Sequence, residues 1–493
     1  MRYLLTGQQM KNADHYTIHT MGVPSLVLME RAALKVVETI KETKTDCTEV
    51  LVVCGTGNNG GDGFAIARLL HLEGHNVTIL ALGSLEKASE ENRIQRKIAE
   101  NYGIEIQDTL IEKPYTVVID AVFGTGLTRE IKGIYKEAIE KVNSLNAVKF
   151  AVDIPSGVSD TTGEIFGVAF QADHTVCLAY EKLGVCLFPG SSYAGKRHVK
   201  DIGISNESLP KEQMVYTYEK DDLLHLLPER RADSHKGTYG KVLMITGSKG
   251  MSGAAYLSAK AAYAAGAGLL MIYTHEENRI ILQQQIPEAI VKTYTKFEEE
   301  TMEQLMDWAD VIEIGSGFSL SETSKKMFDY VIKNIKVPCV IDGDGLTLLS
   351  RQMEQLKNKK QVVLTPHMKE MTRLLHCSMQ QLSENKKQML ETFVKEYPVV
   401  CALKDARTFV AENGENTYLN LTGNTAMSKA GSGDVLAGII TGFLAQKMQG
   451  KDACELGVFL HGLSGDMAKE KKGPYSVFAS DLIDEIATVI NKG

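Results

Sequence analysis

At 493 residues, with 54 Lys and Arg against 62 Asp and Glu for a net charge of −8, the chain is roughly three times a domain of about 150 residues and predicts two to four domains. Hydrophobic residues at 44% and charged ones at 24% exclude disorder, a collagen-like repeat and a disulfide scaffold. The acidic balance gives no electrostatic footprint for nucleic acid or an anionic membrane, so any phosphate must be held locally. The N-terminus, Met1-Arg2-Tyr3-Leu4-Leu5, lacks the apolar stretch of a signal peptide. The longest uncharged apolar run, Ala261 to Thr274, falls short of the roughly 18 to 20 residues that span a bilayer. Neither export nor membrane insertion is expected, and a cytoplasmic protein is. The 8 cysteines include no C-x-x-C, and several sit in strand-like runs such as Val52-Val53-Cys54, which reads as reduced buried thiols and argues against zinc.

Short β-rich apolar runs alternate with longer amphipathic segments, the pattern of parallel sheets covered by helices, so the class is α/β. In chain order, strands are predicted at Val50–Cys54, Val77–Leu82, Val117–Ala121, Lys149–Val152 and Thr175–Ala179, with a helix opened by Ser84 and closed by Gly103. The polar, Pro-bearing stretch Asp201 through Glu219 has no apolar period and is a linker candidate. A second series follows at Lys241–Thr246, Leu269–Tyr273, Val311–Ile314, Cys339–Asp342, Gln361–Thr365, Val399–Lys404, Thr408–Ala411 and Tyr418–Leu421. Two α/β domains, residues 1–212 and 220–493, fit the length better than one giant sheet.

In the first domain Val50–Cys54 runs into Gly55-Thr56-Gly57-Asn58-Asn59-Gly60-Gly61-Asp62-Gly63 and then into a helical segment from Phe64. Strand, glycine-rich turn and helix start make a phosphate cradle, because unpaired N–H groups and the helix dipole face the ligand. Residues 55–60 satisfy G-x-G-x-x-G, yet an NAD-type site wants an acidic residue about 20 positions on, where Ala81-Leu82-Gly83-Ser84 stands. An ordinary dehydrogenase is therefore disfavoured. Two further strands end in carboxylates and turns, at Asp120-Ala121-Val122-Phe123-Gly124-Thr125-Gly126 and Asp153-Ile154-Pro155-Ser156-Gly157. Carboxyl ends of parallel strands are where ligands sit, so the three loops converge on one crevice. A tight turn with Asx caps, and an Asp153 that caps the turn after it, are the structural alternatives.

These three segments resemble the signature of NAD(P)H-hydrate epimerases of the YjeF N-terminal type, over about residues 1 to 210. The resemblance implies a Rossmann-like three-layer domain with Asp153 as the acid/base group. It implies that Asn58, Asn59, Gly60, Gly61 and Asp62 line the hydrated dinucleotide's site. Gly124, Thr125, Gly126, Leu127, Thr128, Arg129, Glu130 and Tyr135 join them, and Asn59, Asp120 and Ser156 hold potassium. The residue types agree, since potassium takes hard oxygen ligands and inverting a hydroxyl-bearing carbon needs a placed proton donor and acceptor.

In the second domain the strongest signal is Ala430-Gly431-Ser432-Gly433-Asp434 before the apolar helix from Val435. Small residues and an Asp at a helix start offer N–H groups for a phosphoryl oxygen and a carboxylate for a hydroxyl proton; the alternative is an N-capping Asp. Ser234-His235-Lys236-Gly237, Ile314-Gly315-Ser316-Gly317, Leu364-Thr365-Pro366-His367-Met368-Lys369-Glu370 and Lys404-Asp405-Ala406-Arg407-Thr408 accompany it. Together these resemble the ADP- or ATP-dependent (S)-NAD(P)H-hydrate dehydratases of the ribokinase-like superfamily, over about residues 220 to 490. The resemblance implies a ribokinase-like α/β/α domain with Ala255, Gly317, His367 and Asp434 on the hydrated nucleotide. It implies Lys404, Asp405, Ala406, Arg407, Thr408 and Gly433 on the adenine nucleotide. Asp434 would deprotonate the ring hydroxyl, and Glu370 lies where related kinases assist magnesium. Two positions depart from the pattern, Asp405 and Ala430 standing where the family commonly has Gly; both lose backbone freedom, and an inward Asp405 would repel phosphate.

The expected protein is a bifunctional repair enzyme with potassium, magnesium and ADP or ATP. It would act on the hydrates of NADH and NADPH, without nucleic acid or membrane, as a homo-oligomer. The alternative is a ribokinase-like small-molecule kinase fused to a non-catalytic nucleotide-binding or scaffold domain.

Overall fold

The computed structural model describes residues 1–111, 113–210 and 214–492. The chain divides into two compact units, one of Tyr3–Val215 and one of Tyr216–Gly493 with Met1–Arg2. Residues 211–213 of the expected linker, and with them the expected end of the first domain at 212, lie outside the described residues. Elsewhere that stretch is ordered where a linker was expected. Val215–Thr217 is a fully buried strand, and the Tyr216 and Tyr218 hydroxyls both donate to Glu455, at 2.6 Å each.

The Tyr3–Val215 unit holds a seven-stranded sheet, ordered Glu105–Gln107, Asn76–Ala81, Glu49–Cys54, Val117–Ala121, Val148–Val152, His174–Leu178 and Lys196–Lys200, every pairing parallel. Buried Val, Ile, Leu and Cys on both faces explain the continuous apolar runs, since helices cover a parallel sheet on both sides. From Glu49–Cys54 the chain winds one way to Glu105–Gln107, then returns to Val117–Ala121 and winds the other. The sheet reverses between those central strands, which is where an α/β sheet opens a crevice. The edge strands Glu105–Gln107 and Lys196–Lys200 were not anticipated; half-exposed and charged, they carry no apolar run. The expected helix from Ser84 is split. Ser84 caps a single 3-10 turn, Leu85–Lys87, and Ser89 caps the helix Glu90–Asn101.

In the other unit the order runs Ile290–Tyr294, Leu269–His275, Lys241–Ile245, Val311–Ile314, Cys339–Ile341, Val362–Leu364 and Val399–Leu403, all parallel, then Phe409–Ala411 and Thr417–Leu419 antiparallel. Its switch point lies between Lys241–Ile245 and Val311–Ile314. The helices Ser252–Ala264 and Ser432–Ala445 pack closely because glycines face backbone. A Cβ at Gly438 would sit 2.1 Å from the Ser258 carbonyl oxygen, and one at Gly442 2.6 Å from that of Ala262. No helix among the described residues is long and apolar enough to cross a membrane.

Candidate active sites

In the first unit the helix after Glu49–Cys54 begins at Asn58, six residues earlier than the apolar pattern suggested, with Gly57 at its N-cap and no side-chain cap. The asparagines therefore lie in the first helical turn and cap nothing, which removes the Asx-cap alternative. Glycine is needed here for space: a Cβ at Gly60 would lie 2.0 Å from the Gly55 carbonyl oxygen and one at Gly61 2.7 Å from Met29 Cε. Asn92 ties the turn down, its buried amide donating to the carbonyls of Gly55 at 3.0 Å and Gly57 at 2.9 Å.

A cavity of about 1120 Å³ opens above this switch point. Asn58, Asn59, Asp62, the loop Gly124 to Glu130, Tyr135 and Asp153 line it, as do Asp14 and Lys182. Gly60 and Gly61, expected beside the ligand, do not; their backbone is pressed against the turn and Met29. The loop is held by Gly126 N–H donating to Asp160 Oδ2 at 3.0 Å, and Tyr135 packs on Phe123 with ring centroids 5.0 Å apart.

Asp153 follows Val148–Val152 with φ +68, a left-handed conformation that costs a non-glycine residue about 1 to 3 kcal/mol. Its Oδ1 accepts from the Leu178 N–H at 2.9 Å and from Lys182 Nζ. Lys182, fully buried, also donates to the carbonyls of Leu178 at 2.9 Å and Tyr180 at 3.1 Å. Asp153 is thus held by the neighbouring strand and a buried ammonium, which answers the turn-cap alternative. Two more carboxyls face this pair. Burial pushes Asp14 up to about 6, with Lys182 opposing and Asp153 adding to the rise. Asp62 is raised well above the usual range, chiefly by burial and then by Asp153 and Asp14. One cavity therefore holds carboxyls that burial pushes toward their protonated form beside a cation-paired carboxylate, residue types that can give and take protons.

Asp120 and Ser156 meet beside it. The Ser156 hydroxyl donates to Asp120 Oδ1 and its N–H to Oδ2, both at 2.7 Å, and the same hydroxyl accepts from Phe123 N–H at 2.8 Å. Burial lifts Asp120 to about 6 against these bonds. Asn59 lies against Gly124, with its buried Nδ2 unpartnered.

In the second unit Gly431, at φ +91, is the N-cap of Ser432–Ala445, which puts Asp434 inside the first turn and sets aside the N-cap alternative. Burial, then Asp342, push Asp434 up to about 6, while Lys404 and a Ser316 hydrogen bond pull it down. Lys404 Nζ donates to Asp342 Oδ1 at 2.7 Å, where Thr365 also donates at 2.6 Å, and lies 3.3 Å from where a Gly433 Cβ would be. His367 and Lys404 form a parallel bridge. The His367 Nδ1 accepts from the N–H groups of Lys369 and Glu370 at 3.1 and 3.2 Å, so the ring is a helix cap, and its Nε2 lies 3.4 Å from Glu370 Oε1. Glu370 is turned back onto the His367 N–H at 2.8 Å and is lifted to about 7 by burial. Gly317 approaches Ala254 and Met251, and Ala255 lies under Gly247.

The expected nucleotide segment divides. Lys404 joins the carboxylates, whereas Asp405 and Ala406 are exposed, and Arg407 Nη1 donates to the Leu421 carbonyl at 3.1 Å. Asp405 pairs with Lys386, and neither Asp405 nor Ala430 adopts positive φ, so these departures strain no backbone.

Known proteins answer this geometry. The family described as NAD(P)H-hydrate dehydratase matches residues 242–488, and that described as YjeF-related protein N-terminus matches residues 25–184. The bifunctional NAD(P)H-hydrate repair enzyme Nnr of Moorella thermoacetica is 34% identical over 516 residues, covering 99% of this chain and 96% of that protein. The chain belongs to the bifunctional NAD(P)H-hydrate repair enzymes. Its Escherichia coli K12 relative of the same name is 33% identical, covering 98% of this chain and 92% of that one. A ribokinase-like superfamily protein of Enterococcus faecalis superposes with TM-score 0.52 at 31% identity, covering 56% of this chain and 96% of its own. The family's two parts are thus a Rossmann-like α/β/α unit and a ribokinase-like one.

Three residues at these sites escaped the sequence reading. Asp342 ends a strand as Asp120 and Asp153 nearly do, and that position was the available signal. Lys182 and Asp14 carry no local signal, because each reaches its site through space.

Proposed function

We propose that the Tyr3–Val215 unit epimerises the R and S hydrates of NADH and NADPH, and that the Tyr216–Gly493 unit dehydrates the S form with ADP or ATP. The reading rests on one observation: each unit gathers buried carboxyls at its own switch point. In the first, Asp153, paired with Lys182, withdraws a proton at the hydroxyl-bearing ring carbon's site, while Asp62, whose carboxyl burial pushes toward its protonated form, supplies the donor on the same cavity wall.

In the second, Asp434 takes the proton of the ring hydroxyl. The oxygen then attacks the nucleotide's terminal phosphoryl group, whose bond to the nucleotide breaks, and the helix N–H groups at Ser432 and Gly433 receive the charge. The ring nitrogen's lone pair expels phosphate, and loss of a proton from the adjacent carbon restores the reduced ring. Lys404 faces the same charge, and magnesium bound with the nucleotide would neutralise part of the phosphates' charge.

Potassium suits the first unit. Asp120 is a buried carboxylate with no ion pair among the described residues, hydrogen-bonded to the Ser156 hydroxyl. Asn59, Asp120 and Ser156 would hold it, and it would supply positive charge for the dinucleotide's phosphates.

The test is to incubate mixed R and S hydrates with the protein, potassium, magnesium and ADP or ATP, and to follow recovery of reduced-nicotinamide absorbance. Complete recovery is expected; recovery of the S portion alone removes the epimerase assignment, and none removes both.

A further inference from the structure

Glu313 lies in the middle of the sheet, on Val311–Ile314, between Met244 of one neighbouring strand and Val340 of the other, and is fully buried. Among the described residues it has no ion pair. A lone buried carboxylate would cost several kcal/mol, so such a group stays protonated unless something takes its proton. Its hydrogen bonds agree. Thr441 has one hydroxyl proton and gives it to the Ala437 carbonyl at 2.7 Å, so its 3.3 Å contact with Glu313 Oε2 is a bond only when Glu313 holds a proton. On the other side the Ser316 hydroxyl donates to Glu313 Oε1 at 3.0 Å, and it stands near enough to Asp434 to lower that carboxyl as well.

We infer that Glu313 is a positioning residue for the dehydration, a buried proton holder that sets the orientation of the Ser316 hydroxyl and, through it, the readiness of Asp434 as a base. With Glu313 neutral, Ser316 is free to turn its one proton toward the ionised Asp434, and the line Glu313, Ser316, Asp434 carries a single negative charge at its substrate end. When Glu313 ionises, its own oxygen captures the Ser316 proton. Asp434 then loses that bond. No bond to substrate changes hands at Glu313; it acts only through Ser316.

Burial is the main cause that lifts Glu313 to about 8, with Asp342 and Asp434 adding to the rise and the Ser316 hydrogen bond opposing it. The groups facing it are few. Asp342 caps the helix after the neighbouring strand, Asp434 and Thr441 lie on Ser432–Ala445, and the Cys339 thiol on Cys339–Ile341 is itself raised by burial and by Glu313. Lys404, the cation at this site, is committed to Asp342.

The inference rests on the dehydratase reading of this unit, and the experiment separates the two. Dehydration of the S hydrate of NADH is measured from pH 5 to 9.5 on the full chain, with the enzyme-free rate subtracted at each pH. The wild type is expected to rise through about pH 6 and to fall about tenfold between pH 8 and 9.5, whereas Glu313→Gln keeps the rise and holds a plateau at high pH. Ser316→Ala, which cuts the connection without a change of charge or appreciable volume, is expected to flatten the alkaline limb too, and it decides the matter if the Gln variant fails to fold. Alkaline limbs of the same shape in wild type and variants overturn the inference while leaving the dehydratase standing. No dehydration by the wild type removes the dehydratase reading itself.

Discussion

The two units solve the same problem in opposite ways. On the proposed roles, each keeps a carboxylate available at the reversal point of a parallel sheet. The Tyr3–Val215 unit gives Asp153 a partner of its own, the fully buried Lys182, and strains the backbone at φ +68 to aim it. The Tyr216–Gly493 unit withholds the cation: Lys404 goes to Asp342, and Asp434 relies on a helix N-terminus and sits near 6. The difference follows from the chemistry. A paired base suits proton exchange at carbon, whereas a base beside the phosphoryl group that its substrate attacks must leave the positive charge facing that group.

The comparison breaks most severely at the bases. Asp434→Asn is expected to lower dehydration by about 100- to 10,000-fold and to leave epimerisation intact; loss of both would mean the units do not work separately. Next is Lys182→Met, which leaves Asp153 buried without its cation. It should abolish epimerisation and destabilise the unit by about 3 to 5 kcal/mol, measured by denaturant unfolding, while Asp434 chemistry persists in whatever fraction stays folded. At the next level stands pH. A base raised to about 6 is active only when ionised, so dehydration is lost as pH falls through 6 and is about tenfold below its plateau at pH 5. The smallest effect is at the departure from the family pattern: Lys386→Ala frees Asp405 beside the expected nucleotide segment and should raise the KM for ADP or ATP a few-fold without changing kcat.

Much of this architecture was legible because central parallel strands advertise themselves. Val50–Cys54 and Val311–Ile314 are apolar on both faces, and Asp120, Asp153 and Asp434 follow from where such strands end or the next helix starts. The edge strand Lys196–Lys200 was invisible for the reverse reason: with partners on one side only, its sequence stays charged. The early start of the helix at Asn58 depends on contacts with Gly55 and Met29 that a local pattern cannot contain. Lys182 reads as an ordinary surface lysine until the fold brings Asp153 to it across 29 positions. Glu313 interrupts an otherwise apolar strand, a break that signals a buried group and says nothing of Ser316 or Thr441.

The central claim is that each unit owns one activity. Its most direct test uses two single variants on a mixture of R and S hydrates of NADH with potassium, magnesium and ADP or ATP, following reduced-nicotinamide absorbance. Asp153→Asn alone should recover only the S portion beyond the spontaneous rate, and addition of Asp434→Asn, inactive by itself, should carry recovery to completion. Complete recovery by Asp153→Asn alone, or no gain on mixing, would contradict the account.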